Sequence, residues 1–149
     1  MSNYLFVCAG NAIRSPFAEE WFRAYTRSRG MRVQVGSAGL YCPERDERWF
    51  NRVNVSWLHW ADRVIVMEER MLQDIGRWWP QHAYKVVNID VPDIFSPACP
   101  DIEIDNPAAD VARRLYDSDG LEIHFGPITF GKILEANLER ILLPCDMRR

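Results

Sequence analysis

Short apolar runs alternate along this chain with stretches whose apolar residues fall on one helical face. Tyr4 to Cys8 is an apolar run rich in strand formers and reads as a buried strand. Residues 9 to 15 form a polar turn, and Pro16 then opens a helical pattern. Phe17, Ala18, Trp21, Phe22 and Tyr25 share its inner face, Ser15 is the predicted N-cap, and Gly30 ends it. Val33 and Val35 alternate with polar residues, which predicts a second short strand closed by a loop, Gly36-Ser37-Ala38-Gly39. Residues 44 to 60 read as a broken, charged helical region. Val64 to Met67 make a third buried strand, Glu68 to Ile75 a helix stopped by Gly76, and Tyr84 to Ile89 a fourth strand. Asn106 is placed to cap a helix from Pro107, with Val111, Ala112 and Leu115 inward. A last helix begins near Pro127, where Ile133, Leu134, Asn137, Leu138 and Ile141 share one face, so the stripe carries one polar position.

Strands alternating with helices predict parallel βα units in an open α/β sheet with right-handed crossovers. No repeat, linker or low-complexity segment interrupts the 149 residues, so one domain over 1–149 is expected.

Composition narrows the picture. With 48% hydrophobic and 26% charged residues, the chain lies near the globular average. The net charge is -3 and no Lys/Arg block runs along the sequence, so no nucleic-acid partner is expected. No apolar run approaches a membrane span and no secretory signal is visible, so a cytoplasmic protein without a membrane partner is expected. The four cysteines, Cys8, Cys42, Cys99 and Cys145, form no CxxC pair and no metal-ligand spacing. Free thiols, no metal and no cofactor are the expectation.

The chemistry concentrates in residues 5 to 20, LFVCAGNAIRSPFAEE. Cys8 ends the first strand, and Arg14 and Ser15 stand where the first helix begins. In open α/β sheets ligands bind outside the carboxyl ends of strands. A loop entering a helix N-terminus turns successive backbone N–H groups into one concavity and adds the positive end of the helix dipole. Such a bowl favours a phosphate dianion, and it favours the Cys8 thiolate over the thiol. Arg14 has the fork to grip two phosphate oxygens. The loop residues are Ala9, Gly10, Asn11, Ala12 and Ile13. Gly10 permits close backbone approach, Asn11 tolerates left-handed angles, and Ser15 can donate to the thiolate or cap the helix, two compatible roles. A lone cysteine at a strand end is more often core, and a lone arginine at a helix start more often surface. It is the combination that points to a site.

In these residues the chain resembles the low-molecular-weight protein tyrosine phosphatases. The resemblance rests on Val7-Cys8, Gly10-Asn11, Arg14-Ser15-Pro16 and Ala18-Glu19, and continues in Ser37-Ala38-Gly39, Ala61-Asp62, Met67-Glu68 and the acidic DVPDIF at 90 to 95. It implies a four-stranded parallel twisted sheet in the order 2-1-3-4, helices on both faces, and a phosphate-binding loop after the first strand. It implies phosphomonoester hydrolysis through a phosphocysteine on Cys8, with Arg14 as phosphate clamp and a phosphotyrosine protein or small aryl phosphate as substrate. The leaving-group proton is assigned to Asp93, with Asp90 and Asp105 as competing acids. Independently, residues 88 to 106 hold three Pro and five acidic residues with no Lys or Arg, a long loop of the kind that often carries function. A carboxyl on such a loop can supply that proton. The resemblance further implies that Ser37 helps hold Asn11.

The pattern departs from the family in three places. Ile13 stands where a second cysteine often precedes the arginine, which removes a protective disulfide and exposes Cys8 to over-oxidation. Ile94 replaces a proline after the acid, and the following aromatic pair is reduced to Phe95 and Ser96. Phe95 and Tyr41 are then the expected walls of the substrate pocket. Two other readings remain open. An arsenate reductase on the same scaffold would need Cys42, Cys99 or Cys145 as a thiol relay. A non-catalytic phosphate or phosphoprotein binder would keep the loop without the acid.

Overall fold

The computed structural model describes residues 1–9, 14–41, 52–92, 124–125 and 128–147. The helix read at Pro107 lies outside them. Four parallel strands make the sheet, β1 (Ser2–Cys8), β2 (Val33–Gly39), β3 (Arg63–Val66) and β4 (Val86–Asn88), in the order β2-β1-β3-β4. Its helices are α1 (Arg14–Ser28), α2 (Val55–Trp60), α3 (Glu69–Trp78), α4 (Phe130–Ala136) and α5 (Leu138–Ile141). The α/β class, the strand order and the parallel pairing agree with the expectation.

Strand alternation sorts the helices onto two faces. Tyr4 and Phe6 point one way and meet Phe22 of α1, with ring centroids 4.9 and 5.5 Å apart. Phe17 of α1 in turn meets Phe130 of α4 at 4.9 Å. Leu5 points the other way and is in register with Gly36. Against Gly36 lies Trp57 of α2, so α2 covers the face opposite α1. Tyr4, Leu5, Phe6 and Val7 of β1 and Val64, Ile65 and Val66 of β3 are all fully buried, as central strands covered on both faces must be.

Four differences from the expected elements have local causes. The segment Gly36-Ser37-Ala38-Gly39 is the second half of β2, paired with Leu5 to Cys8, and no loop. Its small residues are there because α2 comes so close: a Cβ on Gly36 would lie 2.8 Å from Trp57 Cζ3. Helix α3 runs through Gly76 to Trp78, since one helical glycine costs only about 1 kcal/mol. The fourth strand shrinks to Val86–Asn88 because Pro80 opens a 3-10 helix, Pro80–Lys85, in which Tyr84 is exposed and the Lys85 ammonium donates to the Leu58 carbonyl at 2.7 Å. An unforeseen antiparallel hairpin, β5 (His124–Phe125) and β6 (Ile128–Thr129), precedes α4, which Thr129 caps by accepting from the Lys132 N–H. The polar position in the last stripe is also explained. Asn137 donates back to the Ile133 carbonyl at 2.7 Å and separates α4 from α5.

The carboxyl-terminal turn is tied to the sheet. The Tyr4 hydroxyl donates to Asp146 and accepts from the Leu143 N–H, and burial followed by the Asp146 carboxylate pushes this phenol above its ordinary range.

Gly36→Ala is expected to destabilise the fold by about 1–3 kcal/mol through overpacking against Trp57, read as a lower urea midpoint. Gly76→Ala, whose Cβ would meet nothing closer than Ala83 at 3.9 Å, is expected to stabilise by roughly 0.5–1 kcal/mol.

Candidate active site

Cys8 closes β1 opposite Gly39 of β2. The two strands continue outward together: the Leu40 N–H donates to the Cys8 carbonyl and the Tyr41 N–H to the Ala9 carbonyl, both at 2.9 Å. At the other bank α1 begins at Arg14, so Arg14 and Ser15 occupy its first turn and both are buried. Helix α1 starts two residues earlier than a Ser15 cap requires. The Ser15 hydroxyl lies 3.1 Å from Cys8 Sγ and 3.4 Å from the Ala38 carbonyl oxygen, so it faces the sulfur.

Arg14 is only 4% exposed. Its guanidinium donates through Nη1 to the Val91 carbonyl at 3.1 Å and through Nη2 to Glu68 Oε2 at 3.2 Å. The same carboxylate lies 3.4 Å from Arg70 Nη2, so Glu68 sits between two guanidinium groups. Val91 is itself fixed, its N–H donating to the Met67 carbonyl at 2.9 Å. The segments after β3 and β4 and the start of α1 therefore converge on one arginine.

Behind the sulfur, the Ser37 hydroxyl donates to Glu19 Oε1 at 2.5 Å, and Arg23 Nη2 holds the other oxygen of Glu19 at 2.5 Å. In front, Tyr41 is clamped on three sides. Its hydroxyl donates to Asp74 at 2.5 Å, the Arg70 guanidinium lies 4.8 Å from its ring centre, and Trp78 meets it edge-on at 6.3 Å. Partial burial, then the Asp74 carboxylate, pushes the Tyr41 phenol up to about 12.

Residues 3–54 match the family model described as low molecular weight phosphotyrosine protein phosphatase. Over this stretch, about a third of its length, the chain is similar to that family. A protein-arginine-phosphatase of Bacillus subtilis (strain 168) is 46% identical over 37 residues, a stretch that spans 25% of this chain and 25% of that relative. Among solved structures, a YwlE mutant from Bacillus subtilis superposes with a TM-score of 0.63 at 19% identity, over 93% of this chain and 99% of that one. A low molecular weight phosphotyrosine phosphatase from Vibrio cholerae O395 does so with a TM-score of 0.57 at 24% identity, over 64% of this chain and 80% of that one. These two likenesses carry the fold.

Of the residues that the family resemblance singles out, Cys8, Ala9, Arg14, Ser15, Ser37 and Tyr41 stand together around the end of β1. Gly10, Asn11, Ala12, Ile13, Asp93 and Phe95 lie outside the described residues, as do the competing acid Asp105 and the thiols Cys42 and Cys99. Ser37 donates to Glu19, and its expected partner Asn11 lies outside the described residues. Asp90 turns back on its own strand: at φ 51 it donates its N–H to Asn88 Oδ1 at 3.0 Å and accepts from Asn88 Nδ2 at 2.7 Å. Cys145 lies beside Ser2, at the other end of β1 from Cys8, and six residue steps of strand amount to roughly 20 Å. Glu68, Asp74 and Arg70 were not foreseen. Glu68 and Glu19 were visible only as letters of the family pattern, and no periodicity marks a residue whose task is to hold another.

Asp74→Asn is expected to bring the Tyr41 phenol down from about 12 toward the usual value near 10, read by tyrosinate absorbance against pH in comparison with Tyr41→Phe.

Proposed function

We propose that this protein is a cysteine-dependent phosphomonoester hydrolase, a protein tyrosine phosphatase that works through a phosphocysteine on Cys8 within one domain of the cytoplasm. The observation that carries the reading is the buried pair Ser15 Oγ and Cys8 Sγ, 3.1 Å apart, with Arg14 next in the chain to Ser15 and its guanidinium fixed by Val91 and Glu68. The Cys8 thiolate attacks phosphorus while the bond to the leaving oxygen breaks, and Asp93 gives that oxygen its proton. Water then attacks the phosphocysteine, returns a proton to Asp93 and releases inorganic phosphate and the thiolate. Asp93 follows Val91 by two residues, and the Val91 carbonyl already accepts from Arg14, so the acidic segment leaves the described chain at the arginine itself. Residues 9 to 13 cradle the phosphate by their amides, and Tyr41 and Phe95 face the ring of the substrate.

A second substrate class has its own support. The 37-residue likeness to a protein-arginine-phosphatase favours phosphoarginine, where the bond broken is P–N and the acid protonates nitrogen. An arsenate relay through Cys145 is disfavoured by its place at the far end of β1.

Hydrolysis of an aryl phosphate, a phosphotyrosyl peptide and a phosphoarginyl peptide, compared side by side, tests both readings. Cys8→Ser is expected to abolish turnover, and Asp93→Ala to lower kcat by about 10² to 10⁴ while phosphate binding persists. Turnover retained by Cys8→Ser sinks the proposal. Glu68→Gln, which removes the charge that fixes Arg14, is expected to weaken inhibition by inorganic phosphate by about tenfold without unfolding the protein, read as Ki.

A further inference from the structure

The first half of β2 lies at the edge of the sheet, on the opposite end from the Cys8–Gly39 pair, roughly 15–20 Å along the strand from the sulfur. Its one strand neighbour among the described residues is β1, and only Gly39, at the far end, makes a bridge outward, to Arg52. The main-chain groups of alternate residues face away from β1. Val35 and Gly39 mark which ones: the Val35 carbonyl accepts from Arg23 Nη2 at 3.0 Å and the Gly39 carbonyl from the Val53 N–H at 2.9 Å. Val33 belongs to the same set.

A groove of about 500 Å³ runs along this edge. Arg23 and Arg27 of α1 form one bank, Trp60 of α2 the other, and Met31, Val33 and Gln34 the floor. Since α1 and α2 cover opposite faces, the groove straddles the sheet edge itself. Its charge is one-sided. From Trp21 to Pro43 the chain carries Arg23, Arg27, Arg29 and Arg32 and no acidic residue, within a protein of net charge -3. Arg23 is paired with Glu19 and Glu20, whereas Arg27, Arg29 and Arg32 are exposed and have no carboxylate within ion-pair reach among the described residues. Arg27 in the last turn of α1 offsets the helix dipole and also lines the groove. A second copy is a poor occupant, because pairing this edge with itself would bring the same arginines together.

We propose that this edge docks an extended acidic segment of a partner protein, added alongside β2 with carboxylates against Arg27 and an apolar side chain on Trp60. Main-chain pairing supplies the register and the arginines supply the selection for acidic residues. The proposal stands apart from the catalytic reading, since none of these groups touches Cys8, Arg14 or Ser15.

The test uses the full chain and a fluorescein-labelled octapeptide of alternating Glu and Val, read by anisotropy. Binding is expected to saturate, to weaken as salt rises, and to fall by about tenfold when Gln replaces Glu in the peptide or in the variant Arg27→Glu. Methylating every second peptide nitrogen is expected to abolish binding in one register and spare it in the other, because only one edge of the peptide meets β2. Aryl-phosphate hydrolysis by Arg27→Glu is expected to match the parent, which shows that the variant folds. Equal binding of the Gln peptide, no effect of Arg27→Glu, or equal binding of the two methylated registers overturns the proposal. So does tighter binding of a single-stranded RNA oligonucleotide than of the acidic peptide, or self-association that competes with the peptide.

Discussion

A buried guanidinium holds this architecture to one arrangement. An arginine taken out of water is tolerated only when its donors are met, and a charge left alone there is costly. Arg14 meets a carboxylate after β3 and a carbonyl after β4, from its place at the start of α1. Three separately folded pieces must therefore reach correct positions before the group is satisfied. The Cys8–Ser15 contact depends on the same placement, because Arg14 and Ser15 share one turn of helix. Precision at the sulfur is thus inherited from long-range contacts across the sheet.

Close packing on the opposite face supports that precision. Gly36 lets Trp57 lie on the strand, and the same strand carries Ser37 on the α1 side and Gly39 beside Cys8. Polar contacts then lock β2 to α1 through Glu19, which holds both Ser37 and Arg23. Glu19 is an example of a charged group whose partners lie on two elements, the arrangement in which removal of one partner leaves the others mispaired.

The central strands were legible in the sequence because burial on both faces leaves continuous apolar runs, as in Tyr4 to Cys8 and Val64 to Met67. Helix α1 was legible from its spacing, and Gly30, at φ 64, ends the turn beyond it as a glycine suits. Elements went astray where a residue has two uses. Gly36 and Gly39 read as loop because glycine usually signals a turn, whereas here Gly36 admits a tryptophan. Gly76 reads as a stop, and the helix absorbed it. At the site, Cys8, Arg14 and Ser15 were legible because each has a chemical reason to stand at a strand–helix junction. Glu68, Asp74 and Arg70 were not, because holding another side chain requires only reach and charge, and reach comes from the fold.

The link from Tyr4 to Asp146 and Leu143 bears on how the molecule opens. A 3-10 turn of three residues, Pro144–Asp146, would ordinarily fray on its own. Here its main chain and a carboxylate are fastened to the phenol of a residue in a central strand. Detaching the turn strips a buried hydroxyl of its partners inside the sheet, so its amide protons exchange with the strand rather than ahead of it, as members of one cooperative unit.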